Sequence, residues 1–169
     1  MRNMIVGATV GLMLSVGVVE SQQKSAAVQG FERLKALEGE WVDVDGTFGT
    51  KGAVAVTYKI TGGGHAVVET FPVNTPYEMV TIYHLDGDQV TLTHYCTSNT
   101  QPRMRSKGLD GNVLAFQFDG GANIDAAKTS HMHSAKLEFL SADEIRGTWD
   151  NWKNGTADHS ATFRVVRKK

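Results

Sequence analysis

From residue 40 almost to its end the chain alternates apolar and polar positions with a period of two, and that period predicts strands. The segments are 40–45 (EWVDVD), 53–60 (AVAVTYKI), 65–71 (HAVVETF), 78–85 (EMVTIYHL), 89–96 (QVTLTHYC), 102–107 (PRMRSK), 112–118 (NVLAFQF), 130–140 (SHMHSAKLEFL), 144–152 (EIRGTWDNW) and 159–166 (HSATFRVV). Between them stand GGG, DGD, LDGN, SAD and KNGT, the residues that antiparallel hairpins use in their turns. Ahead of the strands, VQGFERLKAL over 28–37 spaces Val28, Phe31, Leu34 and Leu37 for one face of a short amphipathic helix. Strand follows strand with no room for crossover helices, so the chain is an antiparallel meander, closed as a barrel or folded as a sandwich. Closure removes the edge strands that invite association. The predicted fold is therefore all-β: an antiparallel up-and-down β-barrel of about 8–10 strands with a short N-terminal helix. The longest irregular stretch, 119–130, has the length of a functional or mobile loop.

The same alternation assigns faces, because side chains two apart on a strand point the same way. In SHMHSAKLEFL, Lys136 and Glu138 require water, which turns His131, His133, Ala135, Leu137 and Phe139 inward. In QVTLTHYC the apolar face is Val90, Leu92, His94 and Cys96. The last strand groups His159 with Ala161, Phe163 and Val165, and EIRGTW groups Trp149 with Ile145 and Gly147. Tyr58 and Glu69 lie on strands with apolar residues on both faces, and an inward orientation is expected for both. Four histidines and a thiol thus face the interior. A buried imidazole without a partner costs about 1–3 kcal/mol, so these groups must bond to each other, to water, to a metal or to a ligand.

Several chemistries fit subsets of these residues. His131 and His133 form an H-x-H pair, and His94 would complete a three-histidine zinc site with an open fourth position; the alternative is a polar cavity wall. HMHSAKLE also has the cupin spacing of H-x-H to Glu138, but the flanking glycine and the second cupin motif are missing. Cys96 is either a small buried hydrophobe or a nucleophile activated by His94 or His131. Gln101, Arg103 and Arg105 in TQPRMR form either a carboxylate or phosphate fork or one solvated strand face. GGGH at 62–65 precedes no helix and reads as a turn.

Composition narrows the setting. Residues 1–21 open with Arg2, continue through an apolar run from Met4 to Val19 and end with Val19 and Ser21 before a cut at Gln22, the layout of a secretory signal peptide. The run is shorter than a membrane span needs, so no integral span is expected after cleavage. Residues 22–169 have the length of one domain. A formal net charge of −1 offers no footprint for nucleic acid. The single cysteine excludes an internal disulfide, so packing alone holds the domain.

The ends of this domain carry a resemblance. The first strand is entered through LEGEW, placing Gly39, any residue, then Trp41 after a short helix, and the last strand ends FRVVRKK. This resembles the calycin superfamily, the lipocalins and their relatives, in which a basic residue of the last strand packs across that tryptophan; Arg164 or Arg167 would supply it here. The layout with its HYC, QPRM, HMH and GTW segments is similar to exported bacterial lipocalin-like domains of unknown function. The resemblance implies a barrel that binds a small, mostly apolar molecule, and some ten-stranded calycin-like barrels hold haem through an interior histidine. The expected reading is an exported, periplasmic or secreted barrel binding a small-molecule ligand through Tyr58, Glu69, Leu92, His94, Cys96, His131, His133, Trp149 and His159. Phe139 and Phe163 join its apolar wall. No cofactor is required, with zinc or haem as the candidates if one is present. The alternative is a His-dependent or metal-dependent hydrolase or isomerase in the same cavity.

Overall fold

The computed structural model describes residues 24–49 and 51–169; the leader expected over 1–21 and its cut before Gln22 lie outside the described residues. Helix α1 (Ala26–Lys35) starts two residues earlier than its apolar spacing suggests, because Ser25 caps it by accepting the Val28 N–H at 3.3 Å. Its stripe of Ala27, Phe31 and Leu34, continued by Leu37, is buried.

The strands are β1 (Gly39–Asp43), β2 (Val54–Thr61), β3 (Ala66–Phe71), β4 (Met79–Asp86), β5 (Gln89–Tyr95), β6 (Gln101–Ser106), β7 (Leu109–Asp110), β8 (Val113–Ala122), β9 (His131–Phe139), β10 (Glu144–Lys153) and β11 (Thr156–Arg167). β7 is a two-residue stub on β8, so β6 pairs with β8 directly. Each other strand pairs antiparallel with its successor, and β11 returns to β1. The result is a closed, ten-stranded, up-and-down barrel with one short helix, the predicted class. Closure leaves the apolar face of every strand pointing at the same interior, filled by Trp41, Val56, Tyr83, Leu92, Phe116 and Ile145, each without solvent exposure.

Helix α1 seals one end of the barrel. It crosses so close to β7 and β8 that a Cβ on Gly108, whose φ is +115°, would lie 2.1 Å from the Ala26 carbonyl carbon. The seam between β1 and β11 is clamped beside it. Trp41 Nε1 donates to the Leu37 carbonyl at 2.8 Å, and the Arg167 guanidinium lies 4.6 Å from the centroid of the Trp41 ring. Of the two arginines, Arg167 is the one that packs there; Arg164 pairs with Asp45 and Glu144.

The irregular stretch predicted at 119–130 is shorter than expected, because β8 continues to Ala122. What remains is drawn into a compact turn in which the Asp125 carbonyl accepts from the Lys128 and Thr129 N–H groups at 2.9 and 2.7 Å.

Candidate functional site

The interior holds a transverse polar row. Register places Tyr58 beside Glu69, Glu69 beside Thr81, and Thr81 beside His94, one residue from each of β2, β3, β4 and β5. All four are buried. The Glu69 carboxyl accepts from the Tyr58 hydroxyl at 3.0 Å and from the Tyr83 hydroxyl in a shorter bond. Burial pushes its pKa up to about 7, against the lowering effect of the two tyrosine bonds. Burial, then the neighbouring carboxylate, pushes both tyrosines well above their usual range, so the phenols stay protonated. His94 Nδ1 lies 2.9 Å from Thr81 Oγ1, and burial drives its pKa down to about 4. At neutral pH this imidazole is uncharged.

An aromatic tier stands on the row. The His94 ring lies 4.8 Å from that of Trp149 and 5.7 Å from that of Phe71, and Phe71 also meets Trp149 at 5.9 Å and Phe163 at 6.2 Å. Phe48 closes over Phe163 at 5.0 Å and Phe71 at 5.9 Å, although it belongs to the connection between β1 and β2. The buried Asp43 carboxylate holds that segment by accepting from the N–H groups of Asp45, Gly46 and Phe48 at 2.8 to 3.1 Å. A cleft of about 350 Å³ adjoins the tier, lined by Phe48, Ala55, Pro72, Val73 and Thr75 among others. Gly147 makes room for Phe163: a Cβ there would lie 2.1 Å from the Phe163 ring.

His131 and His133 form a second cluster. A bulge of β9 against β10 leaves His133 without a paired residue, with Met132 opposite Asn151 and His131 opposite Trp152. Met132 consequently packs against the core, where simple alternation had turned it outward. His131 Nδ1 bonds the Thr129 carbonyl at 2.8 Å, and its Nε2 lies 3.0 Å from His133 Nδ1. A carbonyl only accepts, so His131 carries its proton on Nδ1; in the uncharged pair Nε2 then accepts from His133 Nδ1–H. The relay leaves the lone pair on His133 Nε2, the arrangement of a base or a ligand. The His133 ring is stacked between Trp152 at 3.8 Å and Phe118 at 4.9 Å. Burial, then the charge of His131, lowers its pKa.

The structure therefore gathers Tyr58, Glu69, His94 and Trp149 in one interior region, with Leu92 fully buried one step along β5 from His94, and it pairs His131 with His133. It does not join His94 to that pair. Among the described residues no group of three or more His, Cys, Asp or Glu is placed to hold a metal ion. Cys96 lies just past the end of β5, half-buried in a turn where its carbonyl accepts from Asn99. His159 is a correction: its side chain is 61% exposed and pairs with Asp158 at 2.9 Å. β1 pairs with β11 only from Val165 to Arg167, so the start of β11 has β10 as its sole neighbour and runs free of the interior. Arg103 and Arg105 share one outer face and are both engaged by Asp119, at 3.0 and 2.5 Å, which matches the solvated-face reading.

Phe48, Phe71, Thr81 and Tyr83 were missed by the alternation argument as site residues. Phe71 and Tyr83 sit at inward-compatible positions, but the register that aligns them is not a local signal, and Phe48 has no strand pattern at all. No family model matches the chain, and no curated protein matches it in sequence. Among the described residues no helix is long and apolar enough to cross a membrane.

Proposed function

We propose that this chain is an exported, calycin-like barrel that binds a small, largely apolar molecule at the end opposite α1. The observation that carries the reading is the aromatic tier of Phe48, Phe71, Phe163, Trp149 and His94 beside a cleft of about 350 Å³. A mostly apolar concavity with a few convergent polar groups is the usual make-up of a small-ligand site. Arg167 over Trp41, beside Gly39, supports the calycin resemblance. Export is supported by the composition of residues 1–21.

Native mass spectrometry of the protein purified from cells expressing the full 169-residue chain, compared with the same sample denatured, tests the reading. The expected result is an organic mass lost on denaturation, or, in preparations that have lost it, a raised melting temperature with apolar compounds. Ligand-free protein whose melting temperature responds to no apolar compound up to its solubility limit would overturn it.

A further inference from the structure

β1 leaves β11 long before β11 ends. The ladder between them covers Val165 to Arg167, and single bonds extend it, from the Lys168 N–H to the Glu40 carbonyl and from the Val44 N–H to the Arg164 carbonyl. Past Arg164 that side of the strand has no neighbour: among the described residues no backbone bond reaches Thr156–Phe163 except those of the β10 ladder. Successive residues of an antiparallel strand direct their N–H and C=O groups to opposite sides. Arg164 and Lys168 bond towards β1, whereas Arg167 bonds the other way, to Asp143. The same parity turns the N–H and C=O groups of Ser160 and Thr162 to the side without a strand. A bulge against Asn151 and Trp152 leaves Asp158 unpaired, so the regular free edge is His159–Phe163. Every residue from Thr156 to Thr162 is exposed.

Free edges of this kind are normally blunted by proline, lysine or an inward-pointing charge. Ser160, Ala161 and Thr162 are none of these, and their small side chains let a second strand approach. An antiparallel edge turned about a two-fold axis is its own complement, with N–H facing C=O in both directions. A formal net charge of −1 leaves two copies little mutual repulsion to overcome. We propose that the free edge of β11 is a self-association surface, on which a second copy of this chain lays its own β11 antiparallel to form a two-fold dimer with one sheet continuous across both barrels.

Sedimentation equilibrium of the purified protein over a range of concentrations, with amide hydrogen exchange read on the same samples, tests this. Thr162→Pro removes an outward N–H without touching a bond to β10, and edge positions tolerate proline. Thr162→Lys keeps the backbone and brings like charges together along the paired edges. The expected result is a wild-type mass that rises with concentration towards twice that of the monomer. The amides of Ser160 and Thr162 should exchange more slowly as it does, while that of Lys168, already bonded to Glu40, stays unchanged. Both variants should remain monomeric, and Thr162→Lys decides the matter if Thr162→Pro does not fold. A wild-type protein that is monomeric up to its solubility limit would overturn the proposal. So would a dimer that persists in folded Thr162→Lys, or one that forms without slowing exchange at Ser160 and Thr162.

Discussion

Glu69 and His94 stand in one transverse row, two strands apart, and the same burial moves their proton equilibria in opposite directions. The folded state holds a proton on Glu69 up to about pH 7, where the ordinary value is 4.5. It therefore binds more protons than the unfolded chain between those limits, and this contribution to stability is lost as pH rises through them. For His94 the folded value is about 4 against an ordinary 6.5, so its contribution is lost as pH falls through that window. Each is worth about 3 kcal/mol across its window, and they oppose one another wherever the two windows overlap. Glu69→Gln removes one of them. Measured by urea denaturation, the stability deficit of Glu69→Gln relative to wild type is expected to shrink by about 3 kcal/mol between pH 4.5 and pH 7.5. A deficit that does not change with pH would mean that Glu69 ionises normally in the folded protein. Burial of His94 was readable from alternation, whereas the strand of Glu69 is apolar on both faces and its alternation alone did not choose between them. The two tyrosine bonds that make Glu69 tolerable inside were not readable either, because they come from β2 and β4, chain segments whose alignment with β3 no local pattern encodes.

At the scale of elements, the strands follow from their period and the breaks in that period follow from pairing. The hairpin between β10 and β11 was marked by Asn154 and Gly155, both at positive φ, as a tight turn between right-twisted strands requires. The bulges at His133 and between Asn151 and Trp152 have no such mark, and they determine where Met132, His133 and Trp152 sit. Gly147 shows how one strand shapes another. Phe163 lies over its α-carbon in the adjoining strand, and that placement brings the phenyl ring into the tier beside Phe71. Gly147→Ala forces the ring out or the strands apart, with an expected loss of about 1–3 kcal/mol in urea denaturation. Gly147→Ala combined with Phe163→Leu should recover part of that loss. An unchanged midpoint for Gly147→Ala alone would show that the ring does not rest on this glycine.

For the whole molecule the decisive contact is the seam that turns a meander into a barrel. β1 and β11 meet over only a few residues, and Arg167 supplements them by donating to the carbonyls of Ala36 and Glu38, pairing with Asp143 and stacking on Trp41. A planar guanidinium does all of this at once, whereas an ammonium cannot. Arg167→Leu is expected to cost about 2 kcal/mol of stability, and Arg167→Lys should recover little of it. Full recovery by lysine in urea denaturation would reduce the role of Arg167 to simple charge.

The sequence by itself determined the all-β class, the approximate number of strands, the leading helix and the inward face of most strands, because period and turn chemistry are local properties of the chain. It also singled out Gly39 and Trp41 and narrowed their partner to two arginines. Only the tertiary structure decided that Arg167 is that partner, that Tyr58, Glu69, Thr81 and His94 form one row, that Phe48 folds over the interior and that His159 lies outside it. These outcomes depend on register, on bulges and on where a neighbouring strand ends. Such quantities are settled between segments far apart in the chain, by which alignment buries the most apolar surface while leaving the fewest polar groups without partners.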